Sequence, residues 1–256
     1  MMRKTLAYAI MVIALIALSG CELGFEDDAL RDAREHYGTY EDNDLVSQDE
    51  LADFINTATL ETSLSSVKVK INVYDAERTL VEEREASGVV FQEEAAYVHI
   101  LTAFSVTDVP EGSIKTVRIY DYLEREFTGF IREESAEAGL SAIRMVKPLV
   151  NPLSPVETAL YSPVVGEPVL LVGFQRETVN AINMGLVTGV DVADPSSGLS
   201  SMTTDIPSDI HGNGGMIVNL MHQLVGIQSH VVTDEGIVNH AVPLSTIKAF
   251  MDAYEG

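Results

Sequence analysis

The chain has 256 residues, of which 46% are hydrophobic and 21% charged, and its formal net charge is -23. That length supports one large or two small domains with a buried core, and that hydrophobic share excludes a largely disordered chain. So acidic a body repels nucleic acid and anionic lipid head groups, which excludes both as partners held by charge.

The first twenty residues have the organisation of an export signal. Arg3 and Lys4 precede a 13-residue apolar run, Leu6 to Leu18, and small residues follow. As a helix that run spans about 20 Å, short of a bilayer core of roughly 30 Å. Residues 1–20 are therefore expected to be a cleaved signal peptide rather than a permanent anchor. The run ends in Leu18-Ser19-Gly20-Cys21, which resembles the bacterial lipobox. That resemblance implies that Cys21 carries lipid and becomes the mature N-terminus, holding the protein outside the cytoplasm on the cell membrane. Two acyl chains anchor stably where one does not. The alternative for Cys21 is an ordinary free or buried thiol. It is the chain's one cysteine, so no intrachain disulfide is available and stability must come from the core.

Residues 21–46 read as an acidic spacer, with Glu26, Asp27, Asp28, Asp32, Glu35, Glu41, Asp42 and Asp44; a short surface helix around Ala29 to His36 is the other reading. Ser47 followed by Glu50 is a capping-box signature. It opens a helix running to about Leu60 that puts Leu51, Phe54 and Ile55 on one face. From there the folded domain, 47–256, is predicted to be all-β. Val67, Val69, Ile71 and Val73 alternate with Lys68, Lys70 and Asn72, the period of a half-buried strand. Further strands are expected near 86–91, 96–101, 114–121, 125–132 and 140–146. A linker with Pro152, Pro155 and Pro163 follows. Six more strands are expected near 168–174, 182–192, 200–205, 216–219, 224–229 and 237–243. A closing helix, capped by Ser245, should run towards Tyr254. Six strands, a linker and six strands predict two small antiparallel barrels or sandwiches, over about 65–147 and 164–243.

Local motifs then carry a resemblance. Thr204-Asp205, Gly212-Asn213-Gly214-Gly215-Met216-Ile217-Val218-Asn219 and Leu224-Val225-Gly226-Ile227 resemble the active-site segment of trypsin-like serine proteases, the Deg/HtrA branch above all. Ser87-Gly88-Val89-Val90, Ile100-Leu101-Thr102, Gly166-Glu167-Pro168-Val169, Gly185-Leu186-Val187-Thr188-Gly189 and Ala241-Val242-Pro243 resemble other stretches of that family in the same order. The resemblance covers roughly residues 60–255 and implies a trypsin-like double β-barrel of two six-stranded barrels with short N- and C-terminal helices. The chain ends soon after Pro243, so the peptide-binding PDZ domain common in that branch is not expected.

The chemistry of that family needs a hydroxyl nucleophile, an imidazole base and an orienting carboxylate. The resemblance places the family histidine at Ser105, the aspartate at Gly139 and the serine at Asn213; allowing a deletion instead simply omits the serine. The glycine whose N–H serves the oxyanion site falls on His211, where a side chain crowds the pocket. The expected outcome is a degenerate triad with no catalytic residue, in a domain that binds peptide or protein or scaffolds an envelope complex. An added strand at a sheet edge is one mode for such binding. Two alternatives stand beside it. One is an active serine-type endopeptidase with a rearranged site, for which Ser105, Ser208, Asp209 and His211 supply candidates, Ser105 with His211 as a reversed dyad. The other is a purely structural surface protein. His99, His222, His230 and His240 lack metal-ligand spacing, and no phosphate-binding glycine loop or calcium loop appears, so no cofactor or metal is expected.

Overall fold

Strand β1 (Ser66–Tyr74) forms as its alternation dictates: Val67, Val69, Ile71 and Val73 are buried, while the intervening lysines stay partly exposed. Those lysines pair across to the next strand, Lys68 with Glu85 at 2.7 Å and Lys70 with Glu83 at 2.8 Å, so both faces of the strand are satisfied. The structure is a computed structural model, and it describes residues 62–175, 178–193, 198–233 and 236–254. Cys21, the acidic spacer and the helix expected over Ser47 to Leu60 lie outside the described residues.

The first barrel consists of β1, β2 (Leu80–Glu93), β3 (Tyr97–Ala103), β4 (Ile114–Tyr120), β5 (Glu126–Ser135) and β6 (Leu140–Val146). The second consists of β7 (Pro168–Gln175), β8 (Thr178–Ala193), β9 (Ser200–Thr204), β10 (Met216–Val218), β11 (Leu224–Thr233) and β12 (Gly236–Pro243). Each closes with all neighbours antiparallel. The first runs β1-β2-β3-β6-β5-β4, and the second repeats that order as β7-β8-β9-β12-β11-β10. The fold is thus the double barrel expected from the strand count. Closure leaves no strand of either barrel without a neighbour on each side.

Each barrel is filled by its own side chains: Ile71, Ile100, Val117, Ile119 and Ile143 in the first, Val169, Leu171, Met202, Ile206 and Ile217 in the second. A third apolar cluster joins the two. It takes Val89, Leu101 and Leu140 from the first barrel, Leu170, Met216, Leu224 and Val242 from the second, and Val156 from the linker. The linker is strapped across this junction by backbone bonds, Val156 N–H to the Val90 carbonyl at 2.9 Å and Leu224 N–H to the Glu157 carbonyl at 2.7 Å.

Two helical pieces differ from expectation. A four-residue helix α1 (Phe104–Thr107) follows β3 without a break, too short for any periodic signal. The closing helix α2 (Leu244–Ala253) begins at Leu244 with Pro243 as its N-cap, and no side chain caps it. The expected cap, Ser245, lies exposed inside the first turn. Pro243 sits extended at φ -74°, which suits a residue entering a helix, and the burial of Leu244 pulls the helix start forward. Ile247 and Phe250 dock α2 onto the cluster between the barrels.

Candidate functional site

Where the barrels meet, a turn between β9 and β10 is held from several sides. The segment leading into it is tied to β8 and β12: Asp205 accepts the Leu186 N–H at 2.6 Å, and the Asn239 amide donates to the Ile206 carbonyl at 2.6 Å. Residues Ile210–Gly212 then form a single 3₁₀ turn. Gly214 has φ +82°, and a Cβ there would land on the Thr102 hydroxyl and the Ser87 carbonyl. Only glycine fits. Its N–H donates to the Gln228 carbonyl at 2.7 Å, and Gln228 N–H donates to the Gly215 carbonyl at 2.8 Å. From the first barrel, Ser87 N–H donates to the Asn213 carbonyl at 2.8 Å. The Ser87 hydroxyl donates to the His211 carbonyl at 2.9 Å and accepts the Phe174 N–H at 2.8 Å. Ser87 is therefore the clasp between the barrels at this point.

The turn brings together residues far apart in sequence. The Asn213 side-chain amide donates to the Ser105 hydroxyl at 2.9 Å. Next to Ser105, the Phe104 N–H donates to the Gly139 carbonyl at 2.9 Å. Ser105 is exposed at the start of α1, whose last carbonyls receive the Arg84 guanidinium, at 3.2 Å for the Ser105 carbonyl. Gly139 takes the left-handed conformation at φ +67°, which glycine adopts freely. Asn213 is buried, and its side-chain oxygen has no hydrogen-bond partner in the structure. An amide, a hydroxyl and a bare glycine thus meet where the resemblance puts a nucleophile, a base and its orienting acid. No group among these three takes a proton near neutral pH.

The backbone donors of this turn are also engaged. The His211 N–H donates to the Asp209 carboxylate at 3.0 Å, and the Asn213 N–H donates to the Ile210 carbonyl at 3.2 Å. An oxyanion needs such donors aimed at it, and these two are aimed at oxygens of the turn itself. The His211 ring stands edge-on to Phe174 with centroids 5.7 Å apart, and its Nδ1 is 3.5 Å from Asp209. Lys68 lies over the other partner, with its ammonium 4.2 Å from the Phe174 centroid. Among the described residues no hydrogen bond joins His211 to Ser105, so the reversed dyad is not assembled. Ser208 donates instead to the Asp209 carbonyl at 3.2 Å.

Two buried groups gave no signal in the sequence beyond strand periodicity. Ser201 and His240 lie on β9 and β12, and the hydroxyl is 2.7 Å from His240 Nδ1. The Ser201 hydroxyl is also 2.8 Å from the Val192 carbonyl, and Ser201 and His240 are 4% and 3% exposed, so the pair is closed off inside the barrel. Glu167, at the entry to β7, is 1% exposed and accepts the Val164 N–H at 2.9 Å. Burial holds its carboxyl above the usual range, opposed by that N–H and by Tyr161. His99 sits inside β3, pushed down by burial, and shares a 2.8 Å hydrogen bond with Tyr254. His222 occupies the tight turn after β10 at φ +59°. His230 and His240 fall within β11 and β12.

Comparison with known families matches residues 86–227 to the trypsin-like peptidase domain. No curated protein matches the chain.

Proposed function

The chain belongs to the trypsin-like peptidase domain family, and from that premise we propose that it is a non-catalytic member, a pseudoprotease. In this reading it is an exported lipoprotein held at the membrane through Cys21. Its domain binds peptide or protein, or scaffolds an envelope complex, by the cleft between the barrels. One observation carries the non-catalytic reading: Asn213 and Ser105 stand in the places of nucleophile and base and hydrogen-bond each other at 2.9 Å. A carboxamide has no hydroxyl to deprotonate, and a serine is no base. Loss of the nucleophile or the histidine alone costs subtilisin about 10⁶ in kcat. The engagement of both backbone donors by Asp209 and Ile210 supports the same reading.

The binding role is tested in cells with a photo-crosslinking amino acid at exposed Ser105 and, as control, at Phe130 on the outside of the first barrel. Defined protein adducts at 105 and none at 130 are expected; equal patterns at both, or none at 105, refute a ligand in the cleft. For the anchor, no helix among the described residues is long and apolar enough to cross a membrane. Cys21→Ser is expected to release the protein into the soluble fraction. Retention of that variant after a high-salt wash contradicts the lipid as anchor.

A further inference from the structure

Charge is divided unevenly along this chain. Residues 177–247, most of the second barrel, contain seven acidic residues and neither lysine nor arginine. In the first barrel cations are present, and Lys68, Lys70 and Lys115 pair with Glu85, Glu83 and Glu134.

On this barrel, β8 carries an apolar stripe facing outwards. Met184, Leu186, Val190 and Val192 are exposed by 36 to 44%, while Val187 between them is buried. Beside them Val164 and Val165 are each 60% exposed. They are held at the level of Leu186 because the Gly166 N–H donates to the Val187 carbonyl at 2.8 Å and the Val187 N–H to the Glu167 carbonyl at 2.9 Å. Single exposed apolar residues are ordinary on any surface. Six gathered on one face of so acidic a protein form a patch of the kind that marks an interaction site.

Carboxylates border it. Asp205 is exposed and reaches the stripe through its bond to the Leu186 N–H. Asp191 stands in the bulged part of β8, where the pairing with β9 shifts register and its own φ is +54°. β8 pairs with β7 over 178–186 and with β9 over 187–193, and what it presents outwards along the stripe is side chains.

We propose that the outer face of β8 docks a cationic amphipathic polypeptide segment. Its apolar side chains cover the stripe, and its lysines or arginines meet Asp191 and Asp205. Charge complementarity selects this occupant. A second copy of the chain offers the same acidic face, or a first barrel that over residues 66–146 carries 15 acidic against nine basic residues. Nucleic acid and anionic lipid meet only like charge. This surface is separate from the cleft and stands whether or not the cleft holds a ligand.

The test is fluorescence anisotropy with a labelled peptide of roughly twelve residues, helical by composition, with leucines on one face and lysines on the other. Two control peptides replace the lysines by glutamates or the leucines by serines. The first peptide is expected to bind at least about tenfold more tightly than either control, with affinity falling as salt rises. Leu186→Ser with Val190→Ser is expected to weaken it at least about tenfold at unchanged net charge, with circular dichroism unaltered. Met184→Gln, at a separate point of the stripe, is expected to act in the same direction and serves if the double variant fails to fold. Phe130→Ser, an equal apolar loss on the other barrel, leaves binding unchanged. Equal binding of the glutamate peptide overturns the proposal. So does an undiminished affinity in the β8 variants, or a loss as large in Phe130→Ser.

Discussion

Removing one hydroxyl, in Ser87→Ala, tests how the two barrels are clasped. Ser87 is fully buried, and its oxygen accepts the Phe174 N–H at 2.8 Å while its proton goes to the His211 carbonyl at 2.9 Å. Alanine leaves both backbone groups without that partner, in a site where the Ser87 backbone is itself fixed by bonds to Asn213 and Thr102. An orphaned buried donor costs about 1–3 kcal/mol, and a carbonyl with a second lone pair less. The loss is therefore about 2 kcal/mol, or a fall in Tm of roughly 4–8 °C for a domain of this size. Urea unfolding followed by circular dichroism measures it, with the slope against denaturant expected to stay constant because the native surface is unchanged. A loss below about 0.5 kcal/mol would show that the clasp carries no such weight.

Glu167→Gln removes a buried carboxyl while keeping an oxygen to accept the Val164 N–H. Burial raises the native pKa of Glu167, so the folded chain binds its proton more tightly than the unfolded one. Its contribution is then most favourable below about 4.5, the ordinary value, and is lost as pH rises through the native pKa. The stability difference between glutamine variant and parent should grow in the variant's favour from pH 4.5 upwards; a pH-independent difference refutes this. Comparing the two proteins cancels His99, whose lowered pKa acts with opposite sign, favourable above the ordinary 6.5 and lost as pH falls through its native value. Gly214→Ala forces a side chain into a left-handed backbone and onto Thr102 and Ser87. It should cost about 3–4 kcal/mol, seen as a collapse of the urea midpoint; a midpoint within experimental error of the parent contradicts the tight turn.

Much of this architecture was legible in sequence because it rests on local periodicity. The alternation of Val67, Val69, Ile71 and Val73 specifies β1, and each of the twelve strands falls near its expected place. Where a strand outran expectation, polar composition hid it. Leu80 to Glu85 extend β2 as an exposed ladder partner of the lysines on β1, and Thr178 to Ala181 extend β8. Ser245 misled as a cap because the rule weighs hydrogen-bonding side chains, whereas the burial of Leu244 decided the helix start. The meeting of Ser105 with Asn213 followed from motif order, not from any local property of those residues. What composition cannot express is the commitment of individual polar atoms. That the His211 N–H finds Asp209, and that Ser201 and His240 meet inside the barrel, depends on ångström-scale positions fixed by the folded barrels.

The central claim is that the catalytic centre of this trypsin-like domain is chemically vacant, and labelling by a fluorophosphonate probe tests it most directly. Such a probe reacts only with a hydroxyl activated by a base. The purified domain is expected to show no labelling, with no casein hydrolysis above background, at any pH from 6 to 9. Labelling of the unaltered protein that disappears in Ser105→Ala, Ser208→Ala or His211→Ala would contradict the account and establish a rearranged peptidase.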